Sequence, residues 1–288
     1  MTRLIVESVG MLALLEDHGR SGLAHLGVGR SGAADRASCD LANRLVGNQP
    51  GAACIEATLG RLAFSVDATV LVAVTGAPVA MRCGGREQSV NSAFPVRAGD
   101  TVTLGPPTAG LRTYIAVRGG IAGEEVLGSV SWDTMAQLGT SPLQSGDVLQ
   151  VGDVAADWPA TDFAPVAAME TGLLELPLLL GPRDDWFTEE ALDRLASDEF
   201  TVSSDADRVG IRLDGPALPR LRSGELDSEG VVLGALQVPT RGRPTLFLAD
   251  RPVTGGYPVI GVVPQSGVNR AAQAAPGMRI RFKLRRLA

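Results

Sequence analysis

Lysine is almost absent from this chain: Lys283, close to the C-terminal end, is the only one among 288 residues. That scarcity excludes a P-loop, which needs Gly-Lys-Ser/Thr to cradle phosphates. A Ser-Lys hydrolase centre would have to recruit Lys283 from the final strand, and no Met-Lys-Met exists to carry biotin. Histidine is nearly as rare, with His18 and His25 alone and no Cys/His cluster. No zinc or other metal site is expected, and a Ser-His-Asp triad would have to use one of those two imidazoles. The cysteines, Cys39, Cys54 and Cys83, are odd in number and scattered, which fits reduced, buried thiols in a cytoplasmic protein. No apolar run approaches the length of a membrane span. The opening Met1-Thr2-Arg3-Leu4-Ile5-Val6-Glu7 alternates like a strand and lacks the apolar core of a signal peptide. With a net charge of −6 there is no basic footprint for nucleic acid. The chemistry left to this chain is that of Arg, Asp, Glu, Thr, Ser and Tyr.

What is present is a large core and a β pattern. An apolar fraction of 45% over this length suits one large or two ordinary domains. Residues 4–9 and 12–16 read as strands on either side of a turn at Gly10, and a Gly-rich loop with His25 follows. Ala34, Ala37, Leu41 and Leu45 share one helical face, with Ser31 as the expected N-cap and Gly47-Asn48 as the stop. Asp35 and Arg36 stand in the first turn of that helix. Asp35 is either a site residue or a complement to the helix dipole. From Ala53 to Val151 short strand patterns alternate with turn residues every eight to twelve positions or so, which argues a barrel or sandwich rather than βα units. Residues 153–176 are rich in Ala, Pro and acid, without a period, and are expected to form a linker or an irregular cover. The second half brings a strand over 173–180, then a helix to Ser197 capped by Thr188, with Phe187 and Leu192 in hydrophobic-staple positions. Gly99, Gly146 and Gly277 each open an alternating strand. This internal echo supports a mainly β chain of two β-barrel-like domains, each with a short helix. They are expected at 1–155 and 170–288, joined by 156–169.

The polar groups gather at turns. Asp250 through Tyr257 lies between two apolar runs, 245–249 and 259–263. It is expected to be a strand, a polar turn and a strand, in which Gly255-Gly256 lets backbone N–H groups approach something closely. A polar hairpin with no further role is the plainer reading. Arg118 stands before Gly119-Gly120, an arrangement suited to clamping a carboxylate or phosphate. Glu56 and Thr75 sit at strand ends, where such groups are usually structural. Arg208 beside Asp207 and Arg251 beside Asp250 are equally readable as turn ion pairs.

Taken in order, Ser31 through Asp35, Asn43 through Asn48, Arg118-Gly119-Gly120, Gly181-Pro182-Arg183, Asp207 through Leu213, Gly234 through Pro239 and Asp250 through Tyr257 resemble the allophanate hydrolase subunit 2 family. That family includes KipA-like proteins and the C subunit of bacterial ATP-dependent 5-oxoprolinase, and it is similar to half of the carboxyltransferase region of urea carboxylase. The resemblance implies two cyclophilin-like β-barrel domains. It also implies a companion subunit of the KipI-like, allophanate hydrolase subunit 1 type, with a shared site near their junction, and a third 5-oxoprolinase subunit. Relatives often carry Asp-x-Gln-Thr-Gly-Gly-Tyr where this chain has Val253 before Thr254-Gly255-Gly256-Tyr257, so an amide side chain is missing there.

The implied activity is that of one component of an ATP-dependent amide hydrolase opening 5-oxoproline to glutamate. In that reading Arg118, Arg208 or Arg212 holds a carboxylate or phosphoryl group, and Asp250 or Glu229 is the acid or base. Asp35, Gln237, Thr254, Gly255, Gly256 and Tyr257 complete the substrate wall. No covalent cofactor is expected, and ATP acts at the level of the complex. The alternatives are the carboxyltransferase component of a biotin-dependent urea carboxylase-like system, with a partner carrying the biotinyl lysine, and a KipA-like antagonist that captures a kinase inhibitor without catalysis.

Overall fold

The computed structural model describes residues 2–153, 155–222, 224 and 226–285. Glu225, at the head of a polar loop, and the last three residues fall outside the described residues. The chain divides into two compact units. The first runs through Met169, leaving out Ser21–Arg30 and Thr134–Ala136. The second runs from Glu170 and includes those two short segments.

The first unit contains β1 (Arg3–Val9), β2 (Leu12–Glu16), β3 (Cys54–Thr58), β4 (Leu62–Val66), β5 (Val70–Gly76) and β6 (Val79–Cys83). It continues with β7 (Arg86–Gln88), β8 (Ser92–Val96), β9 (Thr101–Pro107), β10 (Arg112–Val117), β11 (Ile121–Ala122) and β12 (Val148–Val151). They form two sheets, β11-β12-β1-β4-β9-β6-β7 and β2-β3-β10-β5-β8. Alternating residues such as Leu4, Val6, Phe64 and Val102 from the first, and Leu15, Ile55, Val72 and Ile115 from the second, make one core. Helix α1 (Arg36–Leu45) covers the other face of the second sheet, packing Cys39, Ala42 and Leu45 against Cys54, Ala73, Tyr114 and Ala116. Strand β10 is therefore buried along its whole length. All three cysteines are buried free thiols. The helix starts later than Ser31. Ser31 adopts φ +54°, and Asp35 is the cap, accepting from the Ser38 amide at 3.2 Å. The 156–169 stretch runs along edge strand β8, with Ala93 N donating to Asp162 O at 2.7 Å and Ala164 N to Asn91 O at 2.9 Å.

In the second unit, β13 (Leu173–Leu180), β14 (Phe200–Val202), β15 (Gly210–Asp214), β16 (Glu229–Gly230) and β17 (Ala235–Gln237) precede the polar stretch. They are followed by β18 (Thr245–Phe247), β19 (Thr254–Gly255), β20 (Val259–Val262) and β21 (Arg279–Arg285). Seven of them close a barrel in the order β13-β20-β17-β18-β15-β14-β21, while β16 and β19 form a separate ribbon. Leu176, Phe200, Ile211, Leu236, Ile260 and Phe282 fill the barrel. Helix α2 (Glu189–Ser197) is capped by the Thr188 hydroxyl, which accepts from Ala191 N at 3.0 Å. A second helix in this unit, α3 (Gln265–Ala271), is absent from the sequence reading. The glycines of the internal echo all adopt left-handed backbone, with φ +82° at Gly99, +95° at Gly146 and +87° at Gly277. That conformation is the reason glycine opens each of these strands. Among the described residues no helix is long and apolar enough to cross a membrane.

Candidate functional site

The polar stretch 248–258 is not the turn of a hairpin. Its flanking strands β18 and β20 both pair with β17, one on each side, so the loop has to pass over β17. On the way its Thr254–Gly255 pairs with Glu229–Gly230, Val231 N donates to Val253 O at 2.9 Å and Leu226 N to Gly256 O at 3.1 Å. Alternation in the barrel strands explains what lies beneath. Leu236, Leu246 and Ile260 point inward, so Ala235, Phe247 and Val259 point outward, where Val231 closes over them as a small apolar cluster. The ribbon and this cluster define one covered outer face of the barrel.

Asp250 does not lie on that face. It is fully buried, and Arg208, itself 3% exposed, grips it through Nε to Oδ2 at 2.9 Å and Nη2 to Oδ1 at 3.1 Å. Thr134 adds its amide at 3.2 Å and its hydroxyl at 2.9 Å. The Asp250 carboxylate, expected as an acid or base, is engaged within the fold by Arg208 and Thr134 rather than presented at the outer face. Arg208 is likewise committed to Asp250. Asp207 does not pair with it; its carboxylate accepts from the Val209 amide at 2.8 Å and the Gly210 amide at 3.0 Å. Arg251 turns away from Asp250 and donates to Val231 O at 3.1 Å.

Glu229 sits on the ribbon, half-buried, with Arg183 against it. Arg183 Nε lies 3.0 and 3.1 Å from the two carboxylate oxygens, and its Nη2 contacts Oε1 as well. This guanidinium holds the Glu229 carboxyl below the usual glutamate range. A lowered folded value means that the pair's contribution to stability is in place above the ordinary glutamate pKa and is lost as pH falls through the lowered one. Arg183→Ala is expected to raise the Glu229 titration toward its ordinary value, read by carboxyl-carbon NMR against pH. An unchanged titration would contradict the pairing.

Gln237 is 6% exposed and donates its amide to Tyr257 O at 3.0 Å, fixing the end of the polar loop over β17. Gly255 leaves room for that contact, since a Cβ there would stand 2.7 Å from Gln237 Nε2 and displace the amide. Thr254 is exposed at the ribbon. Beside Tyr257 the outer face opens into a cleft of about 590 Å³ bounded by β15, β18 and the β17–β18 turn. Strand register sets its floor, because Arg212 stands opposite Thr245 and Thr245 opposite Gln237. Ile211 and Leu213 enter the core, so Arg212 faces out. Arg212 and Tyr257 are thus the two sequence candidates brought to one open space, together with Arg241 and Arg243, which sequence reading did not single out. Their signal was a Thr-Arg-Gly-Arg-Pro turn, indistinguishable in sequence from any solvated turn.

In the first unit Arg118 is not open above its glycines. Its guanidinium donates to Val46 O at 2.9 Å and Ala156 O at 3.0 Å and lies 4.1 Å from the Trp158 ring centroid. The arginine expected to clamp a ligand here clamps backbone carbonyls. Asn48 supports the same corner, donating to Val117 O at 2.8 Å and accepting from Gly119 N at 2.8 Å. Asp35 is spent as the helix cap, its Oδ2 also taking the Ser38 hydroxyl at 2.6 Å. Glu56 belongs to a buried network. Its Oε2 accepts from the Tyr114 hydroxyl at 2.7 Å and the Ala34 amide at 3.0 Å, and Arg112 Nε lies 3.4 Å from Oε1. Asp35 N donates to the Tyr114 oxygen at 2.7 Å. Burial, reinforced by the Glu56 charge, pushes the Tyr114 phenol well above its ordinary range and keeps it a donor. His18, the partly exposed imidazole of this unit, pairs with Asp40 at 2.6 Å. Among the described residues no group of three His, Cys, Asp or Glu side chains is placed to hold a metal.

The structure is a mainly β protein of two units, whose arginines are partly structural and partly gathered at an open barrel face. The chain belongs to the carboxyltransferase domain family, subdomains A and B, which matches residues 26–284. It is 33% identical over 276 residues to the 5-oxoprolinase C subunit of Escherichia coli (strain K12), covering 95% of this chain and 88% of that one. It is 29% identical to urea amidolyase of Saccharomyces cerevisiae over 98% of this chain but 16% of that protein. Among solved structures, TTHA0988 superposes with a TM-score of 0.90 at 36% identity, covering 98% of this chain and 55% of that chain. The urea carboxylase of Kluyveromyces lactis superposes with a TM-score of 0.89 at 29% identity, covering 97% of this chain and 27% of that chain. The chain thus spans about half of the TTHA0988 chain and most of the Escherichia coli protein.

Proposed function

We propose that this chain is the C-type subunit of a multi-subunit, ATP-dependent 5-oxoprolinase. It acts with a KipI-like, allophanate hydrolase subunit 1-type partner and a third subunit to open the ring amide of 5-oxoproline. The observation that carries the reading is the match itself: the chain is 33% identical to the Escherichia coli 5-oxoprolinase C subunit over 276 residues, against 29% for urea amidolyase. The reaction adds water across a C–N bond and releases glutamate. Arg212 holds the substrate carboxylate with Tyr257 beside it, and Glu229, on the ribbon that pairs with Thr254–Gly255, is the acid or base. Arg118, Arg208, Asp250 and Asp35 support the scaffold. ATP enters at the level of the complex. The test is ATP-dependent glutamate release from 5-oxoproline by the reconstituted subunits. Omission of this chain is expected to abolish the release, and undiminished release without it would overturn the reading.

The family match to a carboxyltransferase domain favours a second reading, the carboxyltransferase component of a urea carboxylase-like system. Biotin would then ride on a partner. The lone Lys283 is engaged with Glu175 at 2.8 Å within β21. ATP turnover that needs urea and a biotinylated partner, with none on 5-oxoproline, would select this reading.

A further inference from the structure

We infer that the cleft beside Tyr257 is a binding site for a small organic or inorganic anion bearing more than one carboxylate or phosphoryl group, held by Arg241 and Arg243 together with Arg212. Three guanidiniums face two carboxylates there, Asp205 and Asp214, so the cleft is net positive on a chain of net charge −6. The two ion pairs within it are exposed and displaceable. Arg212 lies 3.4 Å from Asp205 with both side chains 65% exposed, and Arg243 lies 2.9 Å from Asp214 at 68% and 53% exposure. Pairs of that kind contribute little and yield to a better-placed anion. Arg241 makes no hydrogen bond or ion pair among the described residues and lines the same space.

The turn that carries these arginines is rigid. Gly242 N donates to Pro239 O at 2.9 Å, Leu218 N to Gly242 O at 3.0 Å and Leu213 N to Pro244 O at 3.0 Å. Gly242 has φ +74°, and a Cβ on it would stand 2.9 Å from Leu218 N. The backbone between the two arginines is therefore pinned to the barrel, and little order has to be imposed on binding. At about 590 Å³ the cleft falls within the range of small-molecule sites. It exceeds what a single carboxylate needs, since one guanidinium satisfies one carboxylate bidentately. Three guanidiniums call for a ligand with at least two anionic groups.

This inference concerns the same cleft that the 5-oxoprolinase reading gives to substrate, but it is measured as binding to the full chain alone, so its failure is distinguishable from the failure of that reading. The probes are sodium pyrophosphate and glutarate, titrated calorimetrically at low ionic strength. A saturable, one-to-one isotherm is expected with at least one of them, weakened about tenfold or more by the double variant Arg241→Ala/Arg243→Ala. Lysine at both positions is expected to recover part of the affinity, because charge returns without the planar fork. Arg86→Ala, in the first unit, is the control for loss of charge and should leave binding unchanged. Binding of pyrophosphate alone assigns the cleft to phosphoryl groups, and of glutarate alone to carboxylates. Binding of both shows that charge is what the cleft recognises, and each of these results supports the proposal. No saturable isotherm with either probe, or an unchanged affinity in the double variant, overturns it. Both arginines are exposed, and an unaltered circular dichroism spectrum shows that the double variant is folded.

Discussion

Arg208→Ala is expected to cost about 3–5 kcal/mol of stability, because it leaves the Asp250 carboxylate charged and buried with its principal partner gone. Arg208 and Asp250 are 3% and 0% exposed, so no water replaces the lost guanidinium without opening the structure. Thr134 supplies two remaining donors, which soften the loss but carry no charge. Asp250→Asn is expected to fall in the same range, since it strands the arginine instead. The measurement is the urea midpoint at constant slope. A loss below about 1 kcal/mol, the level of an exposed pair, would contradict the burial of this pair. Combining both replacements with apolar residues of matching volume is expected to restore much of the loss, because neither charge is then orphaned. Such recovery would separate a structural role for Asp250 from a catalytic one, for which no partner substitution compensates.

Glu56→Ala in the first unit should be of similar size, about 3–5 kcal/mol, since it takes the carboxylate away from a buried arginine. Arg112 and Glu56 side chains are 5% and 0% exposed. The same change takes the acceptor from the Ala34 amide and from the Tyr114 hydroxyl. Tyr114→Phe removes only the hydroxyl. It leaves the Asp35 amide without that acceptor, and is expected to cost about 1–3 kcal/mol. The ordering of the two variants is the informative result. If Tyr114→Phe proved the more damaging, the hydroxyl's hydrogen bonds to Glu56 and to the Asp35 amide would outweigh the charged pair.

Strand boundaries were legible where short apolar stretches are bounded by turn residues. Residues 12–16 and 173–180 are strands in sequence and in structure alike. The Thr188 cap is local and was equally legible. What escaped is non-local or weakly patterned. Helix α3 buries only Gly267, Val268 and Ala271 and has no side-chain cap, so neither a period nor a capping signal marks it. The loop over β17 looked like a hairpin because adjacency in sequence says nothing of a third strand inserted between two others. Arg208 lies 42 residues from Asp250, and Arg183 lies 46 from Glu229. Each arginine was visible as a residue, but its commitment was not. Arg118 shows the cost most plainly. Beside two glycines it suits a ligand clamp, yet the fold delivers the carbonyls of Val46 and Ala156 to it first.

The central claim is that the open barrel face holding Arg212 and Tyr257, rather than the buried Arg208–Asp250 pair, is where this chain meets substrate. The most direct test is kcat/KM for 5-oxoproline in the reconstituted complex carrying Arg212→Ala, alongside its urea midpoint. Removal of a charge-assisted hydrogen bond worth about 1.5–3 kcal/mol predicts a fall of about tenfold to a hundredfold in kcat/KM. The midpoint should be unchanged, because Arg212 is 65% exposed. A kcat/KM equal to that of the unaltered complex would contradict the assignment of this face.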